Sequence, residues 1–393
     1  VKSVTLRRLH NPDFSAARPA FRGKSGRPGA DHRHCPALSS SPGEHALARR
    51  NLMFTGDINL MNVADPAQPF ARVLDTLRGA DLLFGNLECC FYQPGGSRSL
   101  GDEGFYAAPA AGRALQLAGF AAVGNANNVN YGAEAIRASL TELRTLGIPS
   151  TGAGLNRAEA RTPVIVEKNG VRCGFLQRTS VYWPTNHEAG EHSPGVAALR
   201  GHTAYQLPLH KTRVEMPPAN RPGVPPIIVT WTDPKYLADY LAEIRALRAQ
   251  VDVLVASQHW GLHEEVLDYM TEIAHAVIDA GADVVIGHGP HYSLPVELYK
   301  GKPVFYGLGS FSFHTGHGGR KHGDWVGMLA RVEMDGRDCK RAAFEFVRHN
   351  DANETVICDL AREQAVLEAL RERSAAFATA IETEGNQAVL RSK

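Results

Sequence analysis

The sequence predicts a mixed α/β domain, and three observations carry that prediction. Short apolar runs alternate with segments of helical period in the first half of the chain and again over 235–290. Two further stretches, 163–179 and 326–347, read as hairpins. Several apolar runs stop at a side chain able to hold a metal ion, and ligand sites in such sheets lie beyond the carboxyl ends of the strands.

The elements follow in order. Residues 1–50 are rich in Arg, show no period of 2 or 3.6, and are expected to be a disordered or non-native extension. "NLMFTGD" (51–57) is a buried strand ended by Gly-Asp. A helix is expected over 67–78, a strand over 80–88, a helix over 110–118, a strand over 120–128 and a helix over 133–146. The hairpin at 163–179 turns at Asn169-Gly170, a dipeptide suited to the left-handed turn of a tight hairpin. Residues 184–228 hold many prolines and little periodicity, which predicts an irregular insert. Beyond it come a helix (235–250), a strand (251–260), a helix (265–280), the strand "ADVVIGHG", a further strand "KPVFYGLGSFSF" and the last hairpin. Residues 351–393 are expected to be a helical extension, with an amphipathic helix over 359–383.

Composition narrows the function. The formal net charge is +1, so no global field draws the chain to nucleic acid or to an anionic membrane. No apolar run approaches the ~18 residues of a membrane span, and no secretory h-region opens the chain, so a cytoplasmic protein is expected. The six cysteines show no CxxC and no regular spacing, which predicts reduced thiols.

The strand ends carry the chemistry. The first strand ends at Asp57, with Asn59 two residues on; the second at Asn86 and Glu88; the third at Asn125, Asn127 and Asn128. Later strands end at His259 and at His288, with His291 just beyond in "GHGPH". Most of them have an ordinary reading. Asp57 alone reads as well as a helix cap, Asn runs favour turns, and His259 beside Trp260 reads as a core histidine. His288 and His291 resist one, because Gly-Pro keeps them off a common helix face. Together these carboxylates, amides and imidazoles suit a divalent ion such as Zn, Mn or Fe. His187, His192 and His317 lie in loops and are weaker candidates for touching substrate, as is Asn59. His263, in "HWGLHEE", reads as a neighbour of the site or a surface residue.

The stretches "FTGDINLM", "FGNLE", "NANN", "TGAGLNRAEA", "SQHWG" and "GADVVIGHGPHYSLPVELYKGKPVFYGLGSFSF" resemble the poly-γ-glutamate capsule biosynthesis CapA family of the metallophosphoesterase superfamily. The resemblance covers about residues 51–350. It implies a calcineurin-like sandwich of two mixed sheets flanked by helices, with two metal ions at one end. It also implies ligands at Asp57, Glu88 (as the bridge between ions), Asn128 (or Asn127 by register), His259, His288 and His291. Asn127, His259 and His291 are the expected catalytic residues. Three positions depart from the family pattern. Val129 stands where the family has a histidine, Asn59 where classical phosphoesterases have one, and Gly289 where the closing motif usually has another. The missing imidazole at Val129 weakens phosphoester chemistry more than metal binding. The expectation is therefore a metal-dependent hydrolase of an amide, γ-glutamyl amides among them, or of a phosphoester bond, acting on a small-molecule or γ-glutamyl substrate. Its rival is a non-catalytic poly-γ-glutamate binding factor that keeps the fold.

Overall fold

The computed structural model describes residues 49–94, 104–206, 225–313 and 325–393. Most of the expected N-terminal extension, the proline-rich 216–224 and the His-rich loop with His317 lie outside the described residues.

Two mixed sheets pack face to face, with helices on their outer faces. The first runs Ser150–Thr151, Ala122–Gly124, Leu82–Leu87, Arg50–Asn59, Gly327–Asp335, Asp338–His349, Gln387–Ser392, Thr379–Glu384, in that spatial order. The second runs Val164–Lys168, Val171–Thr179, Val253–His259, Val284–His288, Lys302–Phe305, Val296–Tyr299. Period-2 alternation divides each strand between layers. In the first strand Leu52 and Phe54 face the second sheet, while Met53 faces the outer helices. Phe84 and Phe175 stack across the inner layer at 4.7 Å between ring centroids, a contact contributing about 0.5–1.5 kcal/mol beyond its area burial. The outer face of the second sheet is closed by Pro234–Arg248 and Asp268–Ala280, whose Tyr240, Ile244, Ile273 and Val277 are buried.

The central strands Arg50–Asn59, Leu82–Leu87 and Ala122–Gly124 run parallel, as do Val171–Thr179, Val253–His259 and Val284–His288. Their register sets ligands side by side: Asp57 opposite Asn86, and His259 opposite His288.

Four expectations are corrected. The helix over 67–78 is only Leu74–Arg78, because Pro66 and Pro69 keep the preceding stretch in turns. "KPVFYGLGSFSF" is two strands in different sheets. Lys302–Phe305 joins the second, and Ser310–Phe313 pairs with Arg50–Asn59 in the first, after a turn at Gly309 with φ +67°. The insert is not wholly irregular, since Gly201–Gln206 and Ile227–Thr232 form a two-stranded ribbon. The C-terminal helix stops at Ala375, and Thr379–Glu384 with Gln387–Ser392 form a hairpin that extends the first sheet through Ala343 and Phe344.

Among the described residues, no helix is long and apolar enough to cross a membrane. Cys89, Cys90, Cys173, Cys339 and Cys358 are free thiols.

Candidate metal centre

The carboxyl ends of both sheets meet at one place. Asp57, Glu88 and His291 each bring a ligand atom within 4.8 Å of the others. Asp57 Oδ2 lies 3.1 Å from His291 Nδ1, and Asp57 Oδ1 lies 3.6 Å from His288 Nδ1. Glu88 Oε1 lies 3.5 Å from His259 Nε2, and Glu88 Oε2 lies 3.9 Å from His291 Nδ1. These distances bring the side chains of Asp57, Glu88, His259, His288 and His291 together.

Backbone geometry aims these groups. The Glu88 N–H donates to Ile58 O at 2.7 Å, which locks the second strand end against the first. His291 adopts φ +65°, a left-handed conformation costing about 1–3 kcal/mol for such a residue, and it turns the imidazole back over Asp57. Gly289 has φ +109°, and a Cβ there would sit 2.9 Å from Trp260 O and 3.1 Å from His259 Nε2. This turn has no room for a side chain at that position.

Hydrogen bonding sets which atoms are free. Thr179 Oγ1 lies 3.0 Å from His259 Nδ1 and donates to Val181 O at 2.6 Å. Its proton being engaged, the hydroxyl accepts from His259 Nδ1–H, which leaves the Nε2 lone pair unprotonated. His259 Nε2, both nitrogens of His288 and Glu88 Oε2 are buried with no hydrogen-bond partner. Orphaned buried polar atoms are rare and costly. Four of them on adjacent candidate ligands fit a divalent cation.

The charges agree. Burial works to raise the Asp57 pKa, but the hydrogen bond from His291 and the imidazoles of His291, His288 and His259 hold it at about 2. Burial, reinforced by the charge of Asp57, pushes Glu88 well above the usual carboxylate range. Burial also lowers His259 and His288 to about 4. His291 is raised: burial opposes its charge, but Glu88 and Asp57 favour it more. Two carboxylates thus share a proton-rich site, and a cation would replace those protons.

These shifts predict how stability responds to pH once metal is removed by chelation. Between pH 6.5 and about 4, unfolding lets His187, His259 and His288 take up protons that the fold excludes, so stability falls on acidification. Glu88 works in the opposite sense, since the fold keeps it protonated where the unfolded chain ionises. Above pH 6.5 the raised Glu88 and His291 both favour the protonated fold, and stability falls as pH rises. The chelated protein should therefore be most stable near pH 6.5, while stabilisation by added Mn²⁺ should grow with pH. Thermal unfolding with and without chelator, from about pH 5 to about pH 8, measures both; a monotonic rise in the chelated protein overturns the assignment.

The other candidates are placed differently. Asn127 is fully engaged: Nδ2 donates to Asn86 Oδ1 and Leu87 O, and Oδ1 accepts from the N–H groups of Val129 and Asn130. It shapes the turn instead of offering a free catalytic amide. Asn128, half-buried beside it, has its backbone carbonyl held by Trp183 Nε1 at 3.0 Å. Asn59 Oδ1 accepts from Met61 N–H in a local turn. His187, expected near substrate, is buried with Nδ1 accepting from Trp183 N–H and Nε2 at 2.9 Å from Asn130 O. It braces the asparagine loop. His192 is exposed beside Glu191. His263 is exposed, at φ +54°. Val129 is buried among Phe105, Leu87 and other apolar side chains, so the usual histidine position belongs to the core.

Sequence reasoning missed two contributors. Thr179 fixes the tautomer of His259, and Gln177 reaches the site from the same strand. The signal was available, since polar side chains inside a strand buried on both faces need partners.

The model of the family described as bacterial capsule synthesis protein PGA_cap matches residues 42–315. An uncharacterized protein of Sinorhizobium fredii is 29% identical over 334 residues, covering 74% of this chain and 72% of that protein. The PGA biosynthesis protein CapA of Bacillus subtilis is 29% identical over 209 residues, covering 52% of this chain and 45% of that protein. A probable polyglutamine synthesis accessory protein of Mycobacterium tuberculosis is 28% identical over 193 residues, covering 48% and 43%.

Proposed function

The chain belongs to the bacterial capsule synthesis protein PGA_cap family, and from that membership we propose that it is a metal-dependent hydrolase of amide bonds, with γ-glutamyl amides as its substrate class. One observation carries the reading: buried ligand atoms of Glu88, His259 and His288 without hydrogen-bond partners, beside Asp57 and His291. Two relatives are named for PGA biosynthesis and polyglutamine synthesis, and the units of such polymers are joined by amide bonds.

The ligands would be Asp57, Glu88, His259, His288 and His291, with Asn128 the sixth. A mixed carboxylate and imidazole set suits Zn, Mn or Fe, and six side chains suffice for two ions. A cation there would polarise the scissile carbonyl and lower the pKa of water towards neutrality. The chain's own groups do the rest. Asp57 enters ionised, and Glu88 gives up its proton as a cation arrives. His259 presents a lone pair fixed by Thr179. His291 has the most exposed side chain of the five, at 12%, and its ring stacks on Trp325 at 4.6 Å. Substrate thus approaches along the His291 and Trp325 edge, while buried walls keep bulk water from the other ligands.

A second reading has its own observation. Val129 lies in the core and both nitrogens of His187 are engaged, so neither supplies the imidazole acid of a phosphoesterase. This also favours an accessory protein that binds polymer without turnover. Metal analysis followed by a panel of γ-glutamyl amides and phosphoesters separates the readings. The expected result is γ-glutamyl amide hydrolysis that is lost on chelation and restored by Mn²⁺. Bound metal with no turnover on either panel favours the accessory role; phosphoester turnover alone overturns the amide assignment.

A further inference from the structure

Asp57 is oriented by a chain of side-chain amides that begins in the opposite sheet. Gln177, in Val171–Thr179, is fully buried. Its Oε1 accepts from the backbone N–H of Ala126 at 2.7 Å, and its Nε2 donates to Asn86 Oδ1 at 3.0 Å. Asn86 Nδ2 then donates to Asp57 Oδ1 at 2.9 Å. Asn127 Nδ2 adds a second donor to Asn86 Oδ1 at 3.1 Å.

The polarity of this chain is fixed at both ends. A backbone N–H only donates, so Gln177 must turn its oxygen to Ala126 and its NH₂ to Asn86. Asn86 must then offer oxygen to Gln177, and its NH₂ faces the ionised Asp57, which only accepts. Asn127 agrees, because its own oxygen is held by the Val129 and Asn130 N–H groups. Neither amide can flip without setting like against like.

The backbone is built to admit Gln177. A Cβ on Gly124 would lie 2.3 Å from Gln177 Oε1, and one on Gly152, where φ is +98°, would lie 3.0 Å from the same atom. Two glycines on the strand ends of the first sheet thus leave a slot for a glutamine from the second. With Asn86 on Oδ1, the other carboxylate oxygen faces Gly289 N–H at 3.3 Å and His291 at 3.1 Å.

We propose that Gln177 is a positioning residue of the metal centre: acting through Asn86, it sets the rotamer of Asp57, and through Ala126 it holds the asparagine loop against it. The proposal rests on the metal-binding reading above. Groups that orient a ligand in this way typically change metal affinity by about 10–100-fold when removed.

The test is a Mn²⁺ titration of the full chain, followed by electron paramagnetic resonance, well below the unfolding temperature. Gln177→Met keeps the volume and deletes both hydrogen bonds; its affinity should fall about 10–100-fold. Gln177→Asn keeps an amide too short to span Ala126 and Asn86, and carries the test if the methionine variant does not fold. Gln258→Met is the matched control. Gln258 is equally buried, lies on the neighbouring strand and donates to Tyr240 OH at 2.7 Å, away from Asp57. It should lose comparable stability and keep its Mn²⁺ affinity. Gln177 variants that bind within about twofold of the parent, or a Gln258 variant that loses as much, overturn the positioning role. A parent protein that takes up no Mn²⁺ overturns the metal reading itself.

Discussion

Glu88→Gln should empty the proposed metal centre and abolish the proposed hydrolysis while leaving the chelated protein folded. The substitution preserves shape and removes only charge. Glu88 stands between His259 and His291, with Oε1 3.5 Å from His259 Nε2 and Oε2 3.9 Å from His291 Nδ1. A carboxylate at that point can join two ions; an amide cannot neutralise either. The new NH₂ group would also donate to the lone pair that Thr179 leaves on His259 Nε2, and so occupy a second ligand. Stability should move the other way. Glu88 carries a buried acid that the fold holds protonated, and a neutral amide removes the penalty of ionising it. The chelated variant should therefore unfold at a higher temperature than the chelated parent above neutral pH. His263→Asn is the contrast. His263 is exposed in a left-handed turn that asparagine tolerates, so metal content should not change. Metal stoichiometry of the purified variants, with circular dichroism as the check on folding, decides the matter. A full site in Glu88→Gln, or an empty one in His263→Asn, would require the ligand set to be redrawn.

Much of this centre was legible because parallel strands buried on both faces read as apolar runs, and their ends are then marked by polar residues. Asp57, Glu88, His259 and His288 were visible for that reason. His291 was visible because Gly-Pro excluded a helix. Gln177 was marked only as one of several polar residues in a buried strand, and the partners that give it a role, the Ala126 N–H and Asn86, come from another sheet. The choice between Asn127 and Asn128 needed the turn itself, where one amide is used up by backbone N–H groups. His187 looked like a loop histidine because prolines and glycines hide packing, yet its ring is buried against Tyr131 at 5.1 Å. The C-terminal error was one of period. Gln364–Ala375 has a helical repeat, but "TAIETE" and "QAVLRS" alternate in twos around Gly385 at φ +60°, a hairpin that an extended helix pattern concealed.

Asp283→Ala should produce the largest loss of stability and leave metal affinity alone. Asp283 is fully buried at the amino end of Val284–His288, while His288 stands at the other end, roughly 16 Å away at ~3.3 Å per residue. Its Oδ2 accepts from Arg248 Nη1 and from the Leu254 N–H at 2.9 Å; its Oδ1 accepts from Lys302 Nζ, with Arg337 Nε at 3.6 Å. These partners come from a helix end, two strands of the second sheet and the turn of the 327–349 hairpin of the first. One carboxylate thus ties the two sheets together at the end opposite the candidate metal site. Alanine leaves the buried Leu254 N–H without its acceptor and takes the carboxylate from Lys302 and from Arg248, which keeps only the carbonyls of Gly281 and Val251, and breaking such a cluster costs about 3–5 kcal/mol. The lower figure is expected, because Arg248 and Lys302 keep 14% and 21% of their side chains exposed and can regain water. Asp283→Asn retains an acceptor for Leu254 and should lose less. Urea midpoints at constant slope give the stabilities, and Mn²⁺ titration of the folded variants gives the affinities. A loss under about 1 kcal/mol would show the cluster to be worth no more than a surface pair. A fall in Mn²⁺ affinity would show that the amino end of the strand reaches His288, against the division of labour in which one end of these strands holds the fold and the other the site.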